Sequence, residues 1–199
     1  MASILTVITA GTQEITTRDN VKTLLKITAT TEDDLIDLWI AQATSAIAKH
    51  CNRVFIEETV SEVFRRPVGR KLILARYPVT AMTSVTIDTV AQTAGTDFEY
   101  EAATGLMTKL SNDTPVFWGG LKTTVVYTGG YAIADVPADL ERAAVLQISA
   151  YRSAVDRDPA LKSESFVQRL YEYELFAPGT VLVPEVVDLL ADYSDSLFG

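Results

Sequence analysis

The chain has 199 residues, 48% of them apolar and 22% charged, which describes one ordinary globular core with or without a sizeable insertion rather than a disordered chain or two large domains. A formal charge of −9 and a pI near 4.6 exclude a surface built to grip phosphates, because duplex DNA is held largely by Lys and Arg that displace counterions. The single cysteine, Cys51, excludes an intramolecular disulfide and a Cys-rich zinc site.

In chain order, residues 1–15 mix β-branched and small residues with no clear period and a break at Gly11, and they read as an extended N-terminal arm. The apolar patch near Leu5 lacks a basic flank and is interrupted by Thr6 and Thr9, so no cleaved signal is expected, and no stretch has the length to span a bilayer. Thr16 or Thr17 should cap a short helix carrying Val21, Leu24 and Leu25, ending near Ile27. Thr31, followed by Glu32, Asp33 and Asp34, should open a longer helix to about Asn52. There a hydroxyl and first-turn carboxylates would answer the unpaired N–H groups. Its stripe of Ile36, Ile40, Ala43, Ile47 and Cys51 is widened by Leu35, Leu38, Trp39 and Ala46, more apolar circumference than one contact face needs.

From Arg53 to Tyr131 the period shortens. Val54–Phe64, Lys71–Leu74, Ser84–Ile87, Phe98–Glu101, Leu106–Leu110 and Thr123–Tyr127 are candidate strands punctuated by Pro67, Gly69 and Pro78, as in an antiparallel sheet or small barrel. Gly129 and Gly130 close the last of them. Asp135 then offers a cap, Pro137 suits the first turn, and Asp139 and Glu141 favour its N-terminus. The helix that follows carries Leu140, Ala144, Ile148, Tyr151 and Val155, again widened by Ala143, Val145, Leu146 and Ala150. Residues 163–176 admit a helix through Phe166, Leu170 and Tyr173 or an extended arm through the aromatic alternation around Tyr171, Tyr173 and Leu175, and the extended reading is preferred. Pro184 opens a last short helix with Val186, Val187, Leu190 and Tyr193.

The predicted class is α+β: a helical core of about three to four helices, residues 16–53 and 132–160, with an inserted β domain at 54–131, an N-terminal arm at 1–15 and a C-terminal arm with a short helix at 161–199. The wide helices nominate Leu35, Trp39, Val145 and Leu146 for a subunit interface. Phe166, Tyr171, Tyr173, Phe176, Tyr193 and Phe198 are too many aromatics for a solvated tail, and something should cover them.

Catalytic chemistry is thinly represented. His50 and Cys51 are adjacent on a helix, so their side chains diverge by roughly 100° and lack further ligands for a metal. Glu57 with Glu58 and Glu99 with Glu101 have the composition of glycosidase carboxylate pairs, but solvated strand faces look the same. Gly119, Gly120, Lys122 and Thr123 lack the glycine spacing of a phosphate loop. Arg65, Arg66, Arg70, Lys71 and Arg76 form the most basic stretch, suited to a salt-bridged sheet face or an acidic partner. No catalytic, cofactor-binding or metal residue is assigned.

Three stretches together resemble the head-to-tail connector, or adaptor, family of tailed bacteriophages and gene transfer agents, in its longer β-inserted subgroup. They are residues 19–55, with a short helix, an acidic cap, a long Ala-rich helix and an aromatic after Asn52-Arg53; Arg76-Tyr-Pro-Val-Thr-Ala-Met-Thr-Ser-Val; and the strand, turn and helix carrying Tyr127, Gly130, Tyr131, Val136, Pro137, Leu140, Ala143, Ala144 and Tyr151. The resemblance implies a non-enzymatic virion neck protein, made in the host cytoplasm and assembled as a ring of twelve copies beneath the portal protein. DNA would pass through its channel without specific binding, and a stopper or tail-completion protein would attach to it. Another ring of the neck is the nearest alternative; a small carbohydrate-binding or carbohydrate-active protein is a remoter one.

Overall fold

The structure is a computed structural model and describes residues 3–12, 14–155, 163–166, 169–172 and 182–194. It is α+β and divides into two compact units, each assembled from separate stretches of chain: residues 1–13 with 53–136, and 14–52 with 137–199.

The first unit is all β. Its larger sheet has the order β1-β2-β9-β4-β5, with β1 at Ser3–Thr9, β2 at Glu58–Arg65, β4 at Val79–Ile87, β5 at Val90–Gln92 and β9 at Lys122–Gly129, all pairs antiparallel. A second sheet joins β3 (Lys71–Ile73), β7 (Leu106–Ser111) and β6 (Phe98–Glu101), with β8 (Thr114–Val116) on β7. The larger sheet ends in two edges, so it is open rather than a barrel. Its pattern follows the two-residue period: Glu58, Val60, Glu62 and Phe64 of β2 and Thr123, Val125 and Tyr127 of β9 are buried, while the residues between them are half-buried. Val60, Phe64, Val125 and Tyr127 share one core with Leu72, Phe98, Met107 and Trp118.

Residues 3–9, expected as an arm, form β1, paired from Ser3↔Phe64 to Thr9↔Thr59 with a bulge at Ile8. The missing alternation that hid this strand has a structural cause. As an edge strand, β1 leaves Ile4, Val7 and Ile8 exposed and has only Leu5 packed on the core.

The second unit is mainly helical. Helix α1 (Arg18–Leu25) is capped by Thr17, whose hydroxyl accepts from Asn20 N at 3.3 Å. Helix α2 spans Asp33–His50, but the expected Thr31 cap is not made: Glu32 is the cap residue and no side chain bonds there. The first-turn carboxylates instead serve other helices. Asp33 pairs with Lys22 at 2.6 Å, and Glu32 with Arg152 at 3.0 Å. Helix α3 (Ala138–Val155) begins later than expected, because Asp135 belongs to a 3-10 turn, Ile133–Asp135, ahead of it. Val21, Ile36, Trp39, Ile40, Ala43, Val145 and Ile148 form the core of α1, α2 and α3. Helix α4 (Pro184–Leu189) starts at the expected proline and is held to α3 where Val183 N donates to Gln147 Oε1 at 3.0 Å. Leu182, Val186 and Leu190 are buried. Ser163–Phe166 and Arg169–Glu172 are extended, as read, and pair as β10 and β11 of an antiparallel hairpin.

Candidate interaction surfaces

Most candidate reactive residues take structural positions. Cys51 is buried and His50 exposed at the end of α2. Glu57 accepts from Thr80 Oγ1 at 2.6 Å and is half-buried, while its neighbour Glu58 is buried beside Arg76 Nε; adjacent strand residues face opposite ways, so the two do not converge. Glu99 and Glu101 do share a face of β6, exposed, above an open depression of about 680 Å³ also lined by Arg70, Lys71 and Tyr100. Among the described residues, no three His, Cys, Asp or Glu gather to hold a metal ion, and no helix is long and apolar enough to cross a membrane.

A buried polar network that sequence reasoning did not single out lies inside the β unit. Glu62, 1% exposed, accepts through Oε2 from Tyr127 Oη at 2.8 Å and from Ala75 N at 3.0 Å, and through Oε1 from Ser3 Oγ. Tyr127 Oη in turn accepts from Arg76 N at 3.0 Å. Burial pushes the Tyr127 phenol far above its ordinary range, and the neighbouring Glu62 charge adds to the effect. The phenol therefore stays a donor. The network joins β1, β2, β9 and the β3–β4 connection, a structural role. Its one sequence signal is a carboxylate at an inward position of an alternating strand.

Among the described residues, two further surfaces stand out. One is a knob at an end of the β unit, made by the β2–β3 and β8–β9 loops. Val68, Phe117 and Leu121 are 81%, 66% and 64% exposed among Arg65, Arg66 and Arg70, and the Arg70 guanidinium lies 5.1 Å from the Phe117 ring centroid. The loops are fixed: Trp118 N donates to Gly69 O at 2.8 Å and Arg66 N to Leu121 O at 2.9 Å. Asp88 accepts from Leu121 N at 2.9 Å and Lys122 N at 2.8 Å. This is where most of the basic stretch lands. Arg76 is turned inward to Glu58.

The other surface is a groove of about 370 Å³ between α3 and α4, lined by the apolar Leu146, Ala150, Val183 and Pro184 and by Ser149, Ser153 and Glu185. Of the residues nominated for a subunit interface, Leu146 lines this groove and Leu35 is 42% exposed on α2, whereas Trp39 and Val145 are spent in the unit's own core. Of the nominated C-terminal aromatics, Phe166 and Tyr171 lie in the β10–β11 hairpin and Tyr193 is half-buried in the 3-10 turn Ala191–Tyr193; Tyr173, Phe176 and Phe198 lie outside the described residues.

The helical unit also carries an exposed fork. Arg18 Nε donates to Asp37 Oδ1 at 2.7 Å, and this bond holds the Asp37 carboxyl below its ordinary range. A depressed carboxyl stabilises the fold above its unfolded value of about 3.9 and stops doing so as pH falls through its folded value. Asp37→Asn is therefore expected to lower the thermal midpoint by about 2 °C at neutral pH, a small effect because both side chains are over 40% exposed. The difference from the parent should vanish in melts recorded at low pH.

The family profile described as Head completion protein matches residues 14–158. Among solved structures, a chain from the neck of an empty gene transfer agent particle, computed with C6 symmetry, is similar at a TM-score of 0.62 and 16% identity, covering 96% of this chain and 94% of that one. A chain from the neck of the native particle, computed with C12 symmetry, gives 0.55 and 15% over 96% and 94%. A chain from the virion of the native particle gives 0.54 and 17% over 79% and 88%. At these identities the likeness is one of fold. No curated protein matches.

Proposed function

The chain belongs to the head completion protein family, and from that premise we propose that it is a structural protein of a virion neck, a head-to-tail connector that forms a ring, of twelve copies, beneath the portal protein. The observation that carries this reading is the family match over residues 14–158, which includes α1, α2, the strands β2–β9 and α3. Folds shared with neck chains computed with C6 and C12 symmetry support a ring. The ring extends the DNA channel and presents a site for a stopper or tail-completion protein. Acidity favours passage over capture. The β unit holds eight Lys and Arg against nine Asp and Glu, a net −1, and the helical unit nine against seventeen, a net −8. A surface so poor in uncompensated cations releases few counterions from duplex DNA.

The portal contact is assigned to the C-terminal aromatics, Phe166, Tyr171, Tyr173, Phe176, Tyr193 and Phe198. Truncation would test that assignment badly, because Leu182, Val186 and Leu190 are at most 4% exposed and α4 is part of the helical unit's packing. The clean variant is Phe176→Ser with Phe198→Ser. Particles made without the chain should be DNA-filled heads lacking tails, counted by electron microscopy; tailed particles at normal yield would overturn the neck assignment. With the double variant, a folded chain should be present on heads at a tenth or less of normal occupancy by quantitative blotting. Normal occupancy would remove these two aromatics from the portal contact.

A further inference from the structure

We propose that the Phe117–Arg70 knob of one copy seats in the α3–α4 groove of the next, so that each chain offers one of each and the contact repeats head to tail around the ring. This rests on the ring reading above. The knob is an ordered protrusion and not a loose loop: Trp118, next to Phe117, is 2% exposed, its backbone N–H donates to Gly69 O, and Gly120 has φ +86° against Asp88. Holding an aromatic ring 66% exposed on such a rigid base leaves apolar area in water, which a partner recovers on contact.

The occupant is argued from shape and charge. The groove offers the apolar side chains Leu146, Ala150, Val183 and Pro184, the hydroxyls of Ser149 and Ser153, and the exposed carboxylate of Glu185. Its volume of about 370 Å³ is at the small end for a site that encloses a compact group, suited to one aromatic ring with its guanidinium cap. Around the knob stand Arg65, Arg66 and Arg70, with the Asp88 carboxylate turned to the backbone N–H groups of Leu121 and Lys122, and Glu185 is the charged residue lining the groove. A cationic aromatic knob and a mixed groove carrying one carboxylate on the same chain complement each other between copies. A contact that uses two different patches is heterologous, the kind that closes into a ring when its rotation allows. Arg70 would then face Glu185 of the neighbour across a partly desolvated rim, favouring this register over a like-charged one.

The test replaces Phe117 with the photo-cross-linking analogue benzoylphenylalanine, which keeps the ring, in chains assembled into particles. Irradiation should yield a ladder of linked multimers, with mass spectrometry placing the adducts in 146–153 or 183–185 of a second copy. Arg70→Glu should reduce the adducts by about fivefold, and Arg70→Glu combined with Glu185→Arg should restore them. Circular dichroism confirms that the variants, all at exposed positions, remain folded. Adducts to portal, tail protein or DNA, or no adducts in particles that carry the chain at normal occupancy, would overturn the knob-and-groove contact and leave the neck assignment standing. Tailed particles that never contain the chain would overturn the neck assignment itself.

Discussion

Glu62→Ala should lower the stability of the β unit by about 3–5 kcal/mol, the range expected when one member of a buried polar network is removed and its partners are left behind. Three donors lose their acceptor at once: Tyr127 Oη, Ala75 N and Ser3 Oγ. Tyr127 is 0% exposed, and nothing polar replaces the carboxylate at a position itself 1% exposed. Glu62→Gln, which keeps the volume and one acceptor oxygen, should cost less than half as much. Urea unfolding resolves the effect. In a Trp39→Phe background, the fluorescence of the buried Trp118 reports the β unit alone. A loss below about 1 kcal/mol for Glu62→Ala would show that solvent reaches the site and supplies the missing bonds.

Gly130→Ala should be at least as damaging, about 3 kcal/mol or more. Gly130 has φ +110°, and a Cβ there would lie 2.6 Å from both the carbonyl carbon and oxygen of Ile56 and 2.8 Å from Glu57 N. These are backbone atoms at the bridge between Ile56 and Tyr131, where Tyr131 N donates to Phe55 O at 2.7 Å and Glu57 N to Tyr131 O at 3.0 Å. They cannot give way without breaking that crossing. Gly95→Ala is the control. At φ +78° it bears a similar backbone cost, but nothing lies within 4 Å of its added Cβ, so only about 1–2 kcal/mol is expected. Equal losses in the two variants, measured by the same unfolding assay, would show that backbone strain and not collision sets the effect.

The helices were legible because their signals are local: the Thr17 hydroxyl, Pro137, Pro184 and the three-and-four spacing of Ile36, Ile40, Ala43 and Ile47 sit within a few residues of what they control. Boundaries slipped where a local signal had a distant use. Asp33 and Glu32 read as cap reinforcement but answer Lys22, Arg18 and Arg152. Strand β1 was missed because its partner lies 61 residues away at Ser3↔Phe64, and β5 and β8 because their three residues bury nothing, so no inward apolar position marks them as Leu72 marks β3. The surplus apolar circumference of α2 and α3 was real in part. Trp39 and Val145 close the unit's own core, and the surplus that remains, Leu35 and Leu146, could not be told from them without knowing which side each helix turns to its neighbours. The knob was half visible as a basic stretch; Phe117 joins it only through a loop some 47 positions further on.

Because each unit takes its chain from separate stretches, neither is a cassette that can be lifted out and grafted elsewhere. Residues 53–136 transplanted alone would carry β2 without β1, baring the β2 edge along the register from Phe64 to Thr59 and stripping Glu62 of Ser3. Changes at Ser3 or Leu5 are therefore tied to what β2 and Glu62 can accept, and a break near residue 53 separates strands that pair across it.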